Sequence, residues 1–228
     1  MNRGNYKPGS SIGNSELFAG VPSSVTEQVL ASARPREFAS GGAVFFADDP
    51  KEQVLLLTDG RVKVSQFSES GKEVILRLIV PGEIISELTL VPGGAHSSTA
   101  QALQRCKALA WDSTSFNAAL ERFPELQKNA DHILERRLDE LHRRFLVVAT
   151  KTASPRLANG LVHLLDHVGQ RVGGHVEINV SQEALGQMTA MNSSSVCRLL
   201  ATWKRQGIVK LRKETIEIHS VPHLLSLC

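Results

Sequence analysis

The chain has 228 residues, 42% of them apolar and 21% charged, with Lys+Arg 26 against Asp+Glu 23. That length buries one large core or two modest ones, and the composition excludes a disordered chain, a fibre and a membrane bundle. The net charge of +3 is unevenly placed: residues 151–228 hold nine Lys/Arg and five Asp/Glu, a net of +4, so residues 1–150 carry −1. A basic end on a nearly neutral body points to nucleic acid as a partner. Cys106, Cys197 and Cys228 form no CxxC pair and imply no disulfide framework. Residues 1–14 read as a flexible tail without the apolar stretch of a signal peptide. No run approaches the ~18 apolar residues of a membrane span, so a cytoplasmic protein with no membrane partner is expected.

Residues 15–122 read as a β-rich domain. A short helix through Leu30 follows Ser23 or Ser24 as its cap. Val54 to Leu57 is an apolar run, and Arg61 to Phe67 alternates polar with apolar, the mark of a half-buried strand. Glu69-Ser70-Gly71-Lys72 reads as a hairpin turn and Val74 to Val80 as the next strand. Pro81-Gly82 stops that strand, and Ala100 to Trp111 supplies another. Short strands with regular turns indicate a small barrel or sandwich.

Residues 123–152 read as a long helix and a hinge. Leu134, Leu138, Leu141, Phe145 and Val148 step by 4, 3, 4 and 3, a heptad seam set among charged residues. Such a seam is expected to meet the same helix of a second copy, making a homodimer. Residues 150–153 are the expected hinge. Residues 153–228 begin with Ser154 as a helix cap and Pro155 at the first helical position. Leu157, Leu161, Leu164, Leu165 and Val168 then form one stripe, ended by Gly169.

Ser181 to Arg198 carries the clearest functional signal. Ser181 caps a short helix through about Thr189, and Asn192 caps a second through about Gln206 with Val196, Leu199, Leu200 and Trp203 inward. Two short helices joined by a tight turn form a helix-turn-helix. The hairpin from Ile208 to His219 makes it winged. Ser181 to Lys213 contains six basic residues and one acid, a salt-sensitive grip on phosphates. The second helix is expected in the major groove, with Arg198 reaching guanine O6/N7. Ser181, Gln182, Ser193, Ser194, Ser195, Lys204, Lys210 and Lys213 complete the expected DNA contacts. A protein-interaction module is the alternative use of such a winged helix.

Taken in order, Leu17-Phe18-Ala19-Gly20, Leu57-Thr58-Asp59-Gly60-Arg61-Val62, Gly71-Lys72-Glu73-Val74-Ile75-Leu76, Pro81-Gly82-Glu83-Ile84-Ile85-Ser86-Glu87-Leu88, the helix around Arg136-Arg137-Leu138 and the helix-turn-helix resemble the CRP/FNR family of bacterial transcription regulators. The resemblance implies an α+β architecture: a cyclic-nucleotide-binding-like β-roll, a dimerisation helix and a C-terminal winged helix-turn-helix. It also implies a near-palindromic double-stranded DNA site, RNA polymerase as a partner, a small-molecule effector of unidentified nature, and no enzymatic activity.

In the family's cyclic-AMP binders a Gly-Glu pair precedes a loop containing Arg-Ser. The matching positions here are Ser86-Glu87, followed by Leu88, and Ser97-Ser98. Glu87 and Ser98 retain the pattern, whereas Ser97 stands where the phosphate-pairing arginine would be. A guanidinium–phosphate pair is the strongest contact such a pocket offers, so cyclic AMP is not the expected effector. The adenine-facing Thr-Ser is also replaced, by Leu141-His142. No cysteine precedes Cys106, so the family's N-terminal iron–sulfur cluster is not expected. A haem-based gas sensor is the remaining alternative, with His96 or His142 as axial ligand. No metal site and no catalytic constellation are expected.

Overall fold

The structure is a computed structural model that describes residue 13 and residues 15–86 and 94–228. The expected tail other than residue 13, and the effector-site residues Glu87 and Leu88, lie outside the described residues. The chain divides into two units, one made of the residues up to 67 with 76–138, the other of 68–75 with 139–228.

The strands up to residue 112 are β1 (Arg34–Phe38), β2 (Ala43–Phe45), β3 (Gln53–Asp59), β4 (Val62–Phe67), β5 (Glu73–Ile79), β6 (Thr99–Ala102) and β7 (Cys106–Asp112), all in the first unit except residues 73–75 of β5, which belong to the second. They form two sheets, in the orders β1-β7-β3 and β2-β6-β4-β5. The apolar run in β3 has a simple cause: both faces of the strand are covered. Leu55 and Leu57 join Val62, Val64, Ile79, Ile85 and the small residues Ala100, Ala102, Cys106, Ala108 and Ala110. Val54 and Leu56 pack with Trp111, Phe116, Leu120, Leu126, Ala130 and Ile133. The helices contributing to this second cluster are α1 (Ser23–Ala31), α2 (Ser113–Arg122) and α3 (Pro124–Thr150). Trp111 Nε1 donates to Val29 O at 2.8 Å, so its one polar atom is satisfied in the core.

Three local expectations need correction. Ala100 to Trp111 is two strands, because β6 pairs with β4 whereas β7 pairs with β1 and β3. The chain turns between the sheets at 103–105, where Gly60 (φ +92°) approaches so closely that a Cβ would lie 2.7 Å from Arg105 O. The first helix is capped by Pro22, with Ser23 already inside it and no side-chain cap bond. Helix α2 was not anticipated; Asp112 Oδ1 starts it by accepting from Thr114 N and Ser115 N.

The second unit holds the last part of α3, then α4 (Ala153–Val168), β8 (Gln170–Val172), β9 (His175–Ile178), α5 (Gln182–Thr189), α6 (Ser193–Arg205), β10 (Val209–Leu211), β11 (Ile216–Ile218) and α7 (Val221–Ser226). Helix α4 begins at Ala153 with Thr152 as cap, two residues earlier than Ser154 and Pro155 suggest. Proline remains compatible, because the first-turn N–H groups have no intrahelical acceptor. The expected hairpin is part of a four-stranded sheet, β10-β11-β9-β8. Leu157, Leu161 and Leu164 are fully buried.

Candidate functional site

Local capping builds the helix-turn-helix. Ser181 Oγ accepts from Ala184 N at 3.0 Å, and Asn192 Oδ1 accepts from Ser195 N at 2.8 Å. Between the helices Ala190 takes the left-handed conformation, φ +54°. Gly186 permits the turn to close: its carbonyl accepts from Met191 N at 2.9 Å. A Cβ at Gly186 would sit 2.8 Å from Met191 O.

Helix α6 separates its faces. Val196, Leu200 and Trp203 are buried. Ser193, Ser194, Arg198, Lys204 and Arg205 are exposed, Ser195 half-buried. Arg198 and Ser194 are four residues apart and therefore share one side of the helix. The Arg198 guanidinium makes a 3.4 Å contact to Ser195 Oγ. Gln182 is occupied locally, its Oε1 accepting from Cys197 Sγ at 2.8 Å. Lys213 is exposed. Lys210 is less available than its sequence position suggests, because its Nζ lies 3.7 Å from Glu217 Oε2.

Glu217 belongs to a polar cluster on one face of the wing sheet. Its side chain is 1% exposed, although β11 alternates and puts Ile216 and Ile218 in the core. His219 Nε2 lies 3.1 Å from Glu217 Oε2, and His175 Nε2 3.8 Å. Arg212 Nε meets Oε1. Burial pushes the Glu217 carboxyl up, but His219, Arg212, Lys210 and His175 outweigh it and leave the group below its usual range. This cluster was not anticipated from the sequence. The available signal was the paired spacing His175-x-Glu177 and Glu217-x-His219, which puts each pair on one face of a strand.

The last part of α3 is anchored within the same unit. Arg144 donates to Ile75 O at 2.9 Å and to Met188 O at 3.0 Å. The second carbonyl belongs to the last turn of α5, which lacks intrahelical donors. Glu140 meets His163 Nε2 at 2.8 Å. That contact holds the Glu140 carboxyl at about 2, with His167 and Arg144 adding to it and burial opposing.

Of the expected effector-site residues, Ser86 and Ser98 are buried in the first unit. The Ser86 hydroxyl accepts from Leu55 N at 3.2 Å. Ser97 O accepts from Gln66 Nε2 at 2.6 Å. Arg137 donates to Ile84 O at 2.6 Å and Ser86 O at 3.3 Å. Leu141 and His142 lie in the second unit and are exposed. His96 is buried and stacks on Phe45, with ring centroids 3.7 Å apart. Along α3, Leu138, Leu141, Phe145 and Val148 are 53%, 55%, 69% and 38% exposed, so four seam positions are uncovered in the single chain. Leu134 is the exception, partly packed on the first unit's core. No helix among the described residues is long and apolar enough to cross a membrane.

Comparison with known proteins agrees with this layout. The cyclic nucleotide-binding domain family matches residues 35–123, and the Crp-like helix-turn-helix domain family matches residues 155–227. The Cyclic AMP receptor protein of Thermus thermophilus is 26% identical over 204 residues, covering 90% of this chain and 92% of its own. The CRP-like cAMP-activated global transcriptional regulator of Mycobacterium tuberculosis is 22% identical, covering 89% and 91%. Among solved structures, FixK2 from Bradyrhizobium japonicum superimposes with a TM-score of 0.76 at 20% identity, over 86% of this chain and 96% of its own. The c-di-GMP responsive regulator CLP of Xanthomonas campestris gives 0.77 at 17% identity, over 88% and 100%.

Proposed function

The chain belongs to the CRP/FNR family of transcription regulators, and from that premise we propose that it works in the cytoplasm as a homodimer reading a near-palindromic duplex site. It is a CRP-like regulator with a DNA-binding helix-turn-helix and a cyclic-nucleotide-binding-type domain. The observation that carries the finer reading is the division of α6, with Val196, Leu200 and Trp203 buried and Ser193, Ser194 and Arg198 outward. The N-terminal half of that helix enters the major groove, Arg198 reads a guanine, and Lys204, Lys213 and the serines hold phosphates.

The uncovered stripe Leu138, Leu141, Phe145 and Val148 supports a dimer seam on α3. A symmetric dimer then places two recognition helices about one DNA turn apart. Residues 150–153, where α3 ends and α4 begins, form the hinge whose movement alters half-site spacing. RNA polymerase is the downstream partner.

Binding-site selection from a random duplex pool tests this reading. It should enrich paired half-sites, and enrichment of nothing would favour a winged helix that binds protein. Light scattering should give a dimer for the native chain and a monomer for Phe145→Glu; a monomeric native chain would refute the seam. Small-angle scattering with and without a proven effector should differ if the hinge moves.

The effector is proposed to be a small molecule other than cyclic AMP, since Ser97 replaces the phosphate-pairing arginine. Calorimetry with cyclic AMP should then show no binding. The relatives' names mention cyclic AMP for two proteins and c-di-GMP for a third, so the fold alone does not choose the effector. A haem sensor would show a Soret band in the purified protein; a featureless visible spectrum removes that alternative.

A further inference from the structure

We propose that the wing holds a divalent transition-metal site, with His175 Nε2, His219 Nε2 and Glu217 Oε2 as ligands and the Glu177 carboxylate beside His175 as an outer partner. The ligating atoms of the first three lie within 4.8 Å of one another. The individual separations are 3.1 Å for His219 to Glu217, 3.8 Å for His175 to Glu217 and 3.2 Å for His175 Nε2 to Glu177 Oε1. Bonds of about 2.0–2.2 Å to a tetrahedral zinc ion require donor separations of roughly 3.3–3.6 Å. The two histidine–Glu217 separations bracket that range, and with all three ligand atoms within 4.8 Å of one another the ion requires the histidine nitrogens to close by about an ångström at most.

Strand register explains why these residues meet. In β9 and β11, Glu217 stands opposite Glu177, and Ile218 opposite Val176. His219 and His175, the next residues outward, therefore also face each other, and their rings stack 5.0 Å apart at 19°. All four side chains share the face opposite Ile216, Ile218 and Ile178. Imidazole nitrogens with carboxylate oxygens suit zinc and its neighbours better than magnesium or calcium, which prefer oxygen alone.

Two cations already serve Glu217. Arg212 takes Oε1, the oxygen away from the histidine contacts, and so orients the carboxylate as an outer partner does in metal sites. Lys210 approaches Oε2 from 3.7 Å with its side chain 57% exposed. Metal at Oε2 displaces Lys210 into solvent. The inference follows that metal binding tightens the β9–β11 pair and adds a free cation to the surface proposed to hold phosphates.

The test uses the full untagged chain, stripped with chelator and titrated with cobalt(II). Visible bands of tetrahedral intensity should saturate at one equivalent per chain, and zinc should displace them. His175→Ala or His219→Ala should abolish the bands, and Glu177→Gln should weaken affinity less than either. His163→Ala, at a histidine paired elsewhere with Glu140, should leave the spectrum unchanged. On the unaltered protein, zinc should protect His175 and His219 from diethylpyrocarbonate and leave the exposed His132 reactive, which keeps the test independent of variant folding. Bands that survive both histidine substitutions, an absence of stoichiometric binding, or equal modification with and without zinc would overturn the proposal. The last two outcomes would leave the histidines as polar neighbours of Glu217 alone.

Discussion

In the sensor unit, β3 buries Val54 and Leu56 on one face and Leu55 and Leu57 on the other. In the reader unit, β11 buries Ile216 and Ile218 on one face and sets Glu217 among histidines and cations on the other. The first arrangement commits the whole strand to stability. The second commits half of it, and the remaining half stores charge close to where DNA is proposed to lie. Each unit also contains one of the chain's two tryptophans, Trp111 at 1% exposure and Trp203 at 2%.

That contrast can be broken most forcefully at the tryptophans. Trp111→Ala and Trp203→Ala should each cost about 3–5 kcal/mol. Single-tryptophan chains made with Trp203→Phe or Trp111→Phe let fluorescence follow each unit separately in denaturant. In these backgrounds Leu200→Ala, a truncation in the reader's core, should lower the Trp203 transition while the Trp111 signal shifts less. Equal shifts at both reporters would mean that the units unfold as one.

Smaller effects sharpen the division within the reader. Gly186→Ala drives a Cβ against Met191 O and should cost about 1–3 kcal/mol, read as a lower Tm with weakened binding to every sequence. Arg198→Ala should cost about 1–3 kcal/mol of discrimination at one base per half-site, with little change in Tm. Lys213→Ala should weaken all sequences alike and reduce the salt slope by about 1, measured by anisotropy across salt concentrations. If Arg198→Ala behaved like Lys213→Ala, the base-reading role would be wrong.

The smallest expected effect is that of Glu140. Its folded carboxyl titrates at about 2 against an ordinary 4.5. The contact with His163 therefore stabilises fully above that ordinary value, and the contribution is lost as pH falls from there toward 2. Because the side chains are partly solvated, about 1 kcal/mol or less is expected. Glu140→Gln should flatten this part of the acid-unfolding profile and leave neutral stability lower by that amount.

The reader was more legible in the sequence than the sensor, for a physical reason. Ser181 and Asn192 act on N–H groups three residues away, so the helix starts are local events. The corner between β6 and β7 is not local. Ala100, Ala102, Cys106 and Ala108 are equally apolar on both sides of it, and the bend is marked by the exposed run Leu103, Gln104 and Arg105 and by the approach of Gly60. Strand β8 was missed because Gln170, Arg171 and Val172 are all exposed and show no alternation. The wing cluster required the β9–β11 register, which no single stretch of sequence contains. The departure at Ser97 is a reading of the sequence alone, and Glu87 and Leu88 lie outside the described residues.

The Arg137 guanidinium has a thermodynamic consequence. It grips the carbonyls of Ile84 and Ser86, immediately before Glu87, and it precedes Leu138 on the proposed seam. Parting those carbonyls from the helix costs at least these two bonds. Hydrogen bonds to a charged group contribute about 1.5–3 kcal/mol each, within reach of the about 1–3 kcal/mol typical of coupling between sites. The two bonds therefore set a lower bound on the work needed to part the 84–86 segment from the helix at Arg137.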